Sequence, residues 1–377
     1  MIAAPANERL GDYVRVRTGK LDANASDPEG RYPFFTCSRN PLSIRSYSYD
    51  CECVLVAGNG DLNVKYFNGK FDAYQRTYIL ESTDKLELDV RYLFHFMDFY
   101  LERLRGMSIG GVIKYIKLGH LTEARIPLPP LAEQQRIAGI LDKAEALRAK
   151  RSAALPKIDI LPQAIFLELF GDPLIPEQTI GELLESNALL LHKDGNHGSL
   201  YPRADDFGDS GVPFLSAKAV TEDGLIDSSL IERLRDDKAA KLRIGWVTKD
   251  DVLLAHNASV GKVALCDGRF ERALIGTSLT AFRANPEVLN PHYLAAALRS
   301  SRFQRQLEKD MGQTTRNQVP ITAQRRLKIP VPPIELQREF ARRIEAVEKL
   351  KAMQRASLAK LDALFASLQH RAFRGEL

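Results

Sequence analysis

Cysteine, tryptophan and long apolar runs are scarce in this chain of 377 residues, which has four cysteines and one tryptophan. Cys51 and Cys53 form a Cys-x-Cys pair with no second pair after it, unlike a zinc ribbon, so we expect reduced thiols. No run approaches the roughly 20 apolar residues that a membrane helix needs. Residues 1–10 lack the apolar core and basic flank of a signal peptide. We therefore expect a soluble, cytoplasmic protein with no membrane partner.

Sequence signatures of several enzyme classes are missing as well. Asn40-Pro41, Asn285-Pro286 and Asn290-Pro291 lack the second proline of the tetrapeptide that adenine methyltransferases carry. Gly261-Lys262 is followed by valine and lacks the upstream glycine of a P-loop. Glycine-rich dinucleotide motifs are absent, and the seven histidines show no metal-ligand spacing. We therefore predict no catalytic site, no metal and no cofactor.

The composition indicates folded domains but says little about partners. Hydrophobic residues make up 45% and charged residues 27% of the chain, which suits two or three domains with real cores. The net charge of +5 results from 53 Lys and Arg against 48 Asp and Glu. This small excess permits a polyanionic partner without requiring one.

An internal repeat is the most informative feature of the sequence. Residues 126–131 (Ile-Pro-Leu-Pro-Pro-Leu) match residues 329–334 (Ile-Pro-Val-Pro-Pro-Ile) position by position at an offset of 203, and Gln134 matches Gln337. After each proline pair, apolar residues recur at the 3/4 spacing of two packed helices, each roughly 50–60 Å long. The seam positions expected to pack are Ile137, Leu141, Ala144, Leu155, Phe340, Ile344, Val347, Leu358 and Leu361.

Prolines and polar residues interrupt this seam. Pro156 and Pro162 should kink or break the first helix near its end, which we place at residues 170–173 with a glycine C-cap. Arg148 corresponds to Lys351 at the same offset, and Arg151 to Gln354. Either the heptad phase drifts there and these side chains reach solvent, or they form a polar layer that fixes helix alignment.

The segments before the two helices have an α+β pattern. Short apolar runs at residues 53–57, 251–255, 263–265 and 279–282 predict strands. A helix should close each segment, around 90–105 and around 291–310. The segments start at Leu10-Gly11 and at Ile180-Gly181, an offset of 170, so the second is about 33 residues longer. A shared frame with two divergent globular parts is consistent with two different readouts.

The two proline pairs at 126–131 and 329–334, with the long helices predicted after them, resemble the specificity subunits of type I restriction-modification systems. Residues 127–137, leading to Phe-Gly-Asp-Pro at 170–173, resemble the central conserved region of that family, and 329–334 with 372–377 resemble the distal one. Residues 193–198 (Lys-Asp-Gly-Asn-His-Gly) look like the loop that opens a target recognition domain, and 311–318 like the segment before the proline pair. The first half carries Thr18-Gly19-Lys20 instead of such a loop.

The resemblance implies two target recognition domains, held apart by two long antiparallel coiled-coil helices in a pseudo-two-fold repeat. The implied domains are residues 1–126 and 174–329, and the helical regions are 127–173 and 330–377. It also implies double-stranded DNA as ligand, with two modification (methyltransferase) subunits and a restriction (translocase/endonuclease) subunit as partners. The helices would act as a ruler between two half-sites of a split DNA sequence.

Candidate DNA contacts are polar or cationic residues on glycine-bearing loops, the types that reach bases and phosphates. Residues 193–198 and 257–262 could instead be ordinary turns. The predicted DNA-binding residues in the second half are Lys193, Asn196, His197, Asn257, Ser259, Lys262, Thr314, Thr315, Arg316, Asn317 and Gln318. Weaker candidates in the first half are Lys20, Asn59, Lys65, Arg76 and Ser108.

Three functional hypotheses remain at this stage. The first is a non-catalytic DNA-recognition scaffold within a type I complex. The second is a self-contained methyltransferase or nuclease, which the missing signatures argue against. The third is a coiled-coil DNA-binding or interaction protein outside a restriction system; in a form with no nucleic-acid role, it would not show the steep salt dependence of DNA binding.

Overall fold

A computed structural model describes residues 7–172, 174–257, 259–311 and 318–377, and the chain divides into two compact units. Unit 1 comprises Met1–Ala154 and Gln354–Leu377, and unit 2 comprises Leu155–Met353. Each unit therefore contains one sheet-bearing segment and a part of both long helices. Both units combine helices with mainly antiparallel sheets, in agreement with the α+β pattern.

Unit 1 is built on a sheet of strand order β2-β7-β5-β6-β3-β4, with a separate β1-β8 pair. Its strands are β1 (Asn7–Arg9), β2 (Val14–Thr18), β3 (Tyr32–Phe35), β4 (Leu42–Ile44), β5 (Tyr49–Ala57), β6 (Val64–Ala73), β7 (Thr77–Ser82) and β8 (Arg125–Pro127). Its helices are α1 (Val90–Met107), α2 (Leu118–Thr122), most of α3 (Leu131–Asp159) and the second half of the last helix of the chain (Ile334–Ala372).

Helix α1 covers one face of this sheet. Asp89 begins the helix, because its side chain accepts a hydrogen bond from the Tyr92 N–H at 2.9 Å. The apolar side of α1, with Leu93 and Met97 fully buried, joins a core with Val54 and Leu80 from the sheet. Amphipathic spacing therefore forms the helix and also attaches it to the sheet.

Unit 2 has the strand orders β10-β18-β15-β16 and β11-β13-β12-β17-β14, with a separate β9-β19 pair. Its strands are β9 (Glu177–Thr179), β10 (Leu189–Asp194), β11 (Phe207–Gly208), β12 (Val212–Leu215), β13 (Glu232–Leu234), β14 (Trp246–Val247), β15 (Val252–Ala255), β16 (Val263–Leu265), β17 (Ala273–Ile275), β18 (Leu279–Ala284) and β19 (Lys328–Pro330). Its helices are the end of α3, α4 (Leu161–Phe170), α5 (Ile180–Glu185), α6 (Asp236–Ala239), α7 (Pro291–Arg299), α8 (Ser301–Met311), α9 (Ile321–Gln324) and the first half of α10 (Ile334–Ala372).

The two sheets of unit 2 repeat the strand order of the single sheet of unit 1, with one additional edge strand, β11. In unit 1 the long strand β5 pairs with β6 along residues 49–56. In unit 2 the corresponding pairing is split, since β15 pairs with β16 and β14 pairs with β17. Asp250, with a φ of +68°, lies in the interruption between β14 and β15. Unit 2 therefore bends where unit 1 continues as extended strand.

Most predicted elements agree with the structure, with one correction. The four predicted strand runs lie on β5, β15, β16 and β18, and the first predicted helix is α1. The single helix predicted around 291–310 is wrong: it is two helices, α7 and α8. Ser300 adopts an extended backbone (ψ 145°), its hydroxyl donates to the Ala297 carbonyl at 2.7 Å, and it accepts from the Phe303 N–H. One serine thus ends α7 and caps α8.

The prolines interrupt the first long helix at one point only. Pro156 stays inside α3 at the loss of one backbone hydrogen bond. The break falls at Ile160, and Pro162 occupies the first turn of α4, where a missing N–H costs little. Helix α4 ends at Phe170 with Gly171 as its C-cap, although Gly171 has a right-handed φ of −71°. Pro173 lies outside the described residues.

Polar residues of the helical seam have specific partners. In unit 1 the Arg148 guanidinium lies 2.7 Å from Asp362, and Arg151 donates to the Gln354 side-chain oxygen at 2.6 Å. In unit 2 the Lys351 ammonium lies 2.7 Å from Asp159. The Arg148–Asp362 and Lys351–Asp159 pairs occupy corresponding positions at the offset of 203. These contacts, from antiparallel helices in each unit, support the polar-layer interpretation over a drifting heptad.

A buried glutamine fixes the start of each long helix to its own sheet-bearing segment. Gln134 is fully buried, accepts from the Asp89 N–H at 2.9 Å and donates to the Pro129 carbonyl at 2.9 Å. Gln337, also fully buried, accepts from the Asn290 N–H at 2.8 Å and donates to the Pro332 carbonyl at 2.8 Å. Asp89 and Asn290 each cap the helix that closes their segment.

A tyrosine repeats the same pattern one turn into each closing helix. The Tyr92 hydroxyl donates to the Pro127 carbonyl at 2.7 Å, and the Tyr293 hydroxyl donates to the Pro330 carbonyl at 2.6 Å. Both rings are fully buried. The glutamine and tyrosine contacts thus recur in both units and hold each closing helix to the strand and proline pair that precede a long helix.

Candidate nucleic-acid interface

One end of the unit 1 sheet gathers three of the predicted contacts. Strands β2 and β5 end beside the start of β7, since Thr18 pairs with Tyr78 and Ala57 with Thr77. The Gly58 N–H donates to the Arg76 carbonyl at 2.8 Å, and the Gly19 N–H donates to the Thr77 carbonyl at 3.0 Å. Lys20, Asn59 and Arg76 therefore lie at the same sheet end. Lys20 and Arg76 are exposed, and Asn59 is half-buried.

A short hairpin, residues 109–115, lies against this sheet end. Ile109 and Tyr115 exchange two backbone hydrogen bonds of 3.0 and 2.8 Å, and the Gly60 N–H donates to the Lys114 carbonyl at 3.0 Å. Ser108 lies at the base of the hairpin, where its hydroxyl donates to the Arg105 carbonyl at 2.7 Å. The Ser108 hydroxyl donor is therefore used to end helix α1.

Lys65 lies near the same sheet end, at the start of β6, where it pairs with Leu55 of β5. It is half-buried on β6, its ammonium bonds to the Asn63 side-chain oxygen, and burial lowers its pKa. It lines a broad cleft of unit 1 that also contains Arg103, Arg105 and Arg125. These arginines are distant from one another in the sequence, so no local motif could have indicated that they share a cleft.

The segment 193–198 of unit 2 is only partly a loop. Lys193 and Asp194 belong to strand β10, where Lys193 is exposed. Asn196 is 5% exposed and its amide donates to the Ile244 carbonyl, so it supports the fold. His197 is exposed and lies 2.7 Å from the Asp194 carboxylate. Among these three predicted contacts, Lys193 and His197 face solvent.

The loop between β15 and β16 is a tight turn that the pre-proline segment joins. Asn257 forms an isolated antiparallel bridge with Gln318, and the Val319 N–H donates to the His256 carbonyl at 2.9 Å. Gly261 adopts a left-handed φ of +97°, where other residues are strained. The structure thus brings Asn257 and Gln318 together. The other predicted residues of that segment, Thr314, Thr315, Arg316 and Asn317, lie outside the described residues.

Beside this loop lies a cleft of about 570 Å³ that no local sequence pattern indicates. Ser259, Lys262, Arg299 and Gln304 line it. Arg299 reaches the surface, but its guanidinium is partly buried: it donates to the Val263 and Gly224 carbonyls, each at 3.1 Å, and burial lowers its pKa. The Lys262 ammonium lies 3.0 Å from the highly exposed Glu222 carboxylate. Two cations therefore line one cleft, although 37 positions separate them in the sequence.

The sheet ends that carry the predicted contacts have the same construction in both units. Asn59 bridges to Tyr115 in unit 1 as Asn257 bridges to Gln318 in unit 2, and positions 115 and 318 differ by the offset of 203. Gly19 approaches the end of β6 as Gly195 approaches the end of β17, and a Cβ at either would meet a backbone carbonyl oxygen within 2.5 Å. Residues 18–20 therefore take the place that residues 194–196 take in unit 2.

A buried polar network lies under the unit 2 edge. His192 lies 3.1 Å from the Gln324 side-chain oxygen, Gln324 donates to the Thr280 hydroxyl at 3.0 Å, and that hydroxyl lies 2.9 Å from His256. All four are at most 6% exposed. Burial lowers the pKa of His192 to about 4 and also lowers that of His256. Both imidazoles are therefore neutral at pH 7, and the network orders the edge without adding charge.

This network predicts an acid-sensitive unit 2. The unfolded chain takes up a proton at His192 near pH 6.5, whereas the folded chain does so only near pH 4. Stability is therefore lost as the pH falls from 6.5 to 4, by about 2 kcal/mol between pH 7 and pH 5. Urea unfolding followed by fluorescence of Trp246, the single tryptophan, measures this in unit 2. In the variant His192→Gln, the stability lost between pH 7 and pH 5 should be smaller by about 2 kcal/mol. A loss equal to that of the unchanged protein would contradict the assignment of the acid sensitivity to His192.

The described residues offer no group of three or more His, Cys, Asp and Glu side chains that could hold a metal ion. Within the same part of the chain, no helix is both long enough and apolar enough to cross a membrane. The arrangement at the two sheet ends, with amides, hydroxyls and cations on short loops, is suited to binding a polar, anionic surface.

Comparisons with known proteins agree with these observations. A family model described as "Type I restriction modification DNA specificity domain" matches residues 6–157 and 198–363. The type I restriction enzyme EcoDI specificity subunit of Escherichia coli is 26% identical over 404 residues, covering 98% of this chain and 87% of that protein. The MjaVIII specificity subunit of Methanocaldococcus jannaschii is 23% identical, covering 94% of this chain and 88% of that protein.

Solved structures share the fold. The S subunit of a type I restriction-modification system from M. genitalium superposes with a TM-score of 0.63 at 17% identity. The superposition covers 99% of this chain and 97% of that one.

Proposed function

This chain belongs to the family of type I restriction-modification DNA specificity domains, and we propose that it is the subunit that gives such a system its DNA specificity. Each unit reads one half of a bipartite site in double-stranded DNA. The chain has no catalytic site of its own, needs no cofactor, and works in the cytoplasm within a complex of two modification subunits and a restriction subunit.

The repeated sheet edge is the observation that carries this proposal. Asn59 and Asn257 occupy corresponding positions on edges that differ in their other side chains. Two readers of a split site need this combination of a shared frame and different contacts. We propose that the pseudo-two-fold repeat provides the frame, with target recognition domains at 1–126 and 174–329.

We propose that the exposed and half-buried polar residues of these edges contact DNA. In unit 1 they are Lys20, Asn59 and Arg76, and in unit 2 they are Lys193, His197, Asn257, Ser259, Lys262 and Gln318, with Arg299 added from the cleft. Residues 314–317 stay predicted contacts on sequence grounds. Asn196, Lys65 and Ser108 have side chains engaged within the protein, and we assign them supporting roles.

We propose that the two long helices, at 127–173 and 330–377, form a coiled-coil spacer that sets the distance between the half-sites and docks the partner subunits. Packing in each unit supports this. Ile137, Leu141 and Ala144 are buried in unit 1, and Phe340 and Val347 in unit 2. The remaining seam residues, Leu155, Ile344, Leu358 and Leu361, are half-buried.

Adenine-methylation mapping tests the proposed function. The chain is co-expressed with its modification subunits in a host free of adenine methylation, and the genome is sequenced for methylated adenine. We expect one split motif, with two specific parts separated by a fixed number of unspecified base pairs. The modification subunits without this chain should give no motif. A continuous motif, or methylation by the purified chain with S-adenosylmethionine, would overturn the proposal.

A further inference from the structure

The tip of the unit 1 hairpin exposes aliphatic side chains to an unusual degree. Val112 is fully exposed and Ile113 is 63% exposed. Ile109, Tyr115 and Leu118 on either side are each 37% to 48% exposed. Single exposed apolar residues are ordinary, but a group on one short loop indicates a surface that becomes covered on binding.

This tip is held in shape before any ligand binds. Gly110 has a left-handed φ of +115°, and a Cβ at this position would meet the Ile113 carbonyl oxygen at 2.5 Å, so the turn requires glycine. The two Ile109–Tyr115 hydrogen bonds close the hairpin, and the Gly60 N–H ties it to the β5–β6 loop. A preorganised tip loses little conformational entropy when it is covered.

The charges around the tip favour a polyanion as the occupant. Lys114 follows the tip directly, Lys117 comes three residues later, and both are exposed. The hairpin and these lysines, residues 109–117, contain no acidic residue. The nearby Asp61 carboxylate is 2.9 Å from the Arg39 guanidinium and is therefore neutralised. The tip also adjoins the sheet end that carries Lys20, Asn59 and Arg76.

The internal repeat gives an independent argument. Positions 112 and 113 correspond to Thr315 and Arg316 at the offset of 203, so the same places are apolar in one half of the sequence and polar in the other. The positions around them keep their roles, as the Asn59–Tyr115 and Asn257–Gln318 bridges indicate. Such a difference is expected where two readers contact different bases.

We propose that Val112 and Ile113 read thymine in the half-site of unit 1 by packing against its C5-methyl group in the major groove. The inference rests on the proposed function and names one of its specificity determinants. The thymine methyl is the apolar feature that the major groove offers, and aliphatic side chains match it. Lys114 and Lys117 would hold the tip there through phosphates.

The test uses the complex with the modification subunits and a duplex that carries the mapped methylation motif. Binding is measured by fluorescence anisotropy over a range of salt concentrations. Val112→Ser with Ile113→Ser should weaken binding about tenfold, without changing the slope of log Kd against log salt, since no phosphate contact is lost. Replacing thymine by deoxyuridine in that half-site should weaken the unchanged complex similarly and leave the double variant unaffected.

The matched control is Leu86→Ser. Leu86 is 78% exposed in the same unit but follows β7 at the opposite end of the sheet, so binding should be unchanged. The inference is overturned if the double variant binds like the unchanged complex, if it responds to deoxyuridine as the unchanged complex does, or if it fails to assemble with the modification subunits. If the unchanged complex shows no preference for its motif, the proposed function itself fails.

Discussion

Replacing Phe340 by alanine should lower the free energy of unfolding of unit 2 by about 3–5 kcal/mol, the usual cost of deleting a buried phenylalanine ring. The Phe340 ring is 1% exposed on α10, and its centroid lies 5.8 Å from that of Phe166 and 5.5 Å from that of Phe170 on α4. The Tyr293 ring packs edge-to-face against Phe170 in the same group, with ring centroids 4.7 Å apart. The substitution thus opens a cavity where both long helical segments and the closing helix α7 meet.

Urea unfolding followed by Trp246 fluorescence measures this change, because the single tryptophan lies in unit 2. Leu336→Ala is the control, since Leu336 lies on the same helix but is 39% exposed. It should cost less than about 1.5 kcal/mol. Similar losses in the two variants would mean that the aromatic group does not attach the helix to the domain.

Removing both cations of the unit 2 cleft should have the largest effect on DNA binding. In Lys262→Ala with Arg299→Ala, we expect affinity for the methylation motif to fall by at least about tenfold at moderate salt. If each cation neutralises one phosphate, the slope of log Kd against log salt should become shallower by about 1.8, since each phosphate contact contributes about 0.9. Binding of the complex with its modification subunits, measured at several salt concentrations, gives both quantities.

Arg299 also donates to two backbone carbonyls, so its removal could disturb the fold of the cleft. Lys262→Ala alone avoids this and should make the slope of log Kd against log salt shallower by about 0.9. Lys249→Ala is the matched control. Lys249 is an exposed cation just before β15, at the opposite end of the same sheet. If the slope is unchanged in both cleft variants, the cleft is not a phosphate site.

Local patterns and the repeat were sufficient to predict a large part of this fold. The 3/4 spacing after each proline pair corresponds to helices α3 and α10, and Gln134 and Gln337, matched by position alone, make equivalent buried contacts. Such features depend on neighbours close in sequence or on a constant offset. The break between α7 and α8 could not be predicted from apolar spacing, because it depends on a single side chain. The Ser300 hydroxyl donates to the last turn of α7 and accepts from the first turn of α8.

The candidate interface could be predicted only in outline. The β15–β16 loop and its partner Gln318 were both recognised, but their pairing depends on tertiary structure. Arg299 was missed because it lies at the end of an ordinary amphipathic helix and reaches the cleft from there. Asn196 is of a residue type that often contacts DNA, but its side-chain amide donates to the Ile244 carbonyl inside the protein. The residue before it, Gly195, lies close against the end of β17. Burial of this kind leaves no signature in the sequence.

The Arg151–Gln354 contact has a consequence for the history of the chain. Positions 151 and 354 are each other's counterparts, so the contact joins a position to itself across the repeat. Immediately after a gene duplication the same residue would have stood on both sides of the seam. If that residue was arginine, two like charges would have faced each other and repelled. Divergence at this one position replaces that repulsion with a hydrogen bond. It also disfavours association of the first helix with its equivalent in another molecule, and so favours pairing within one chain.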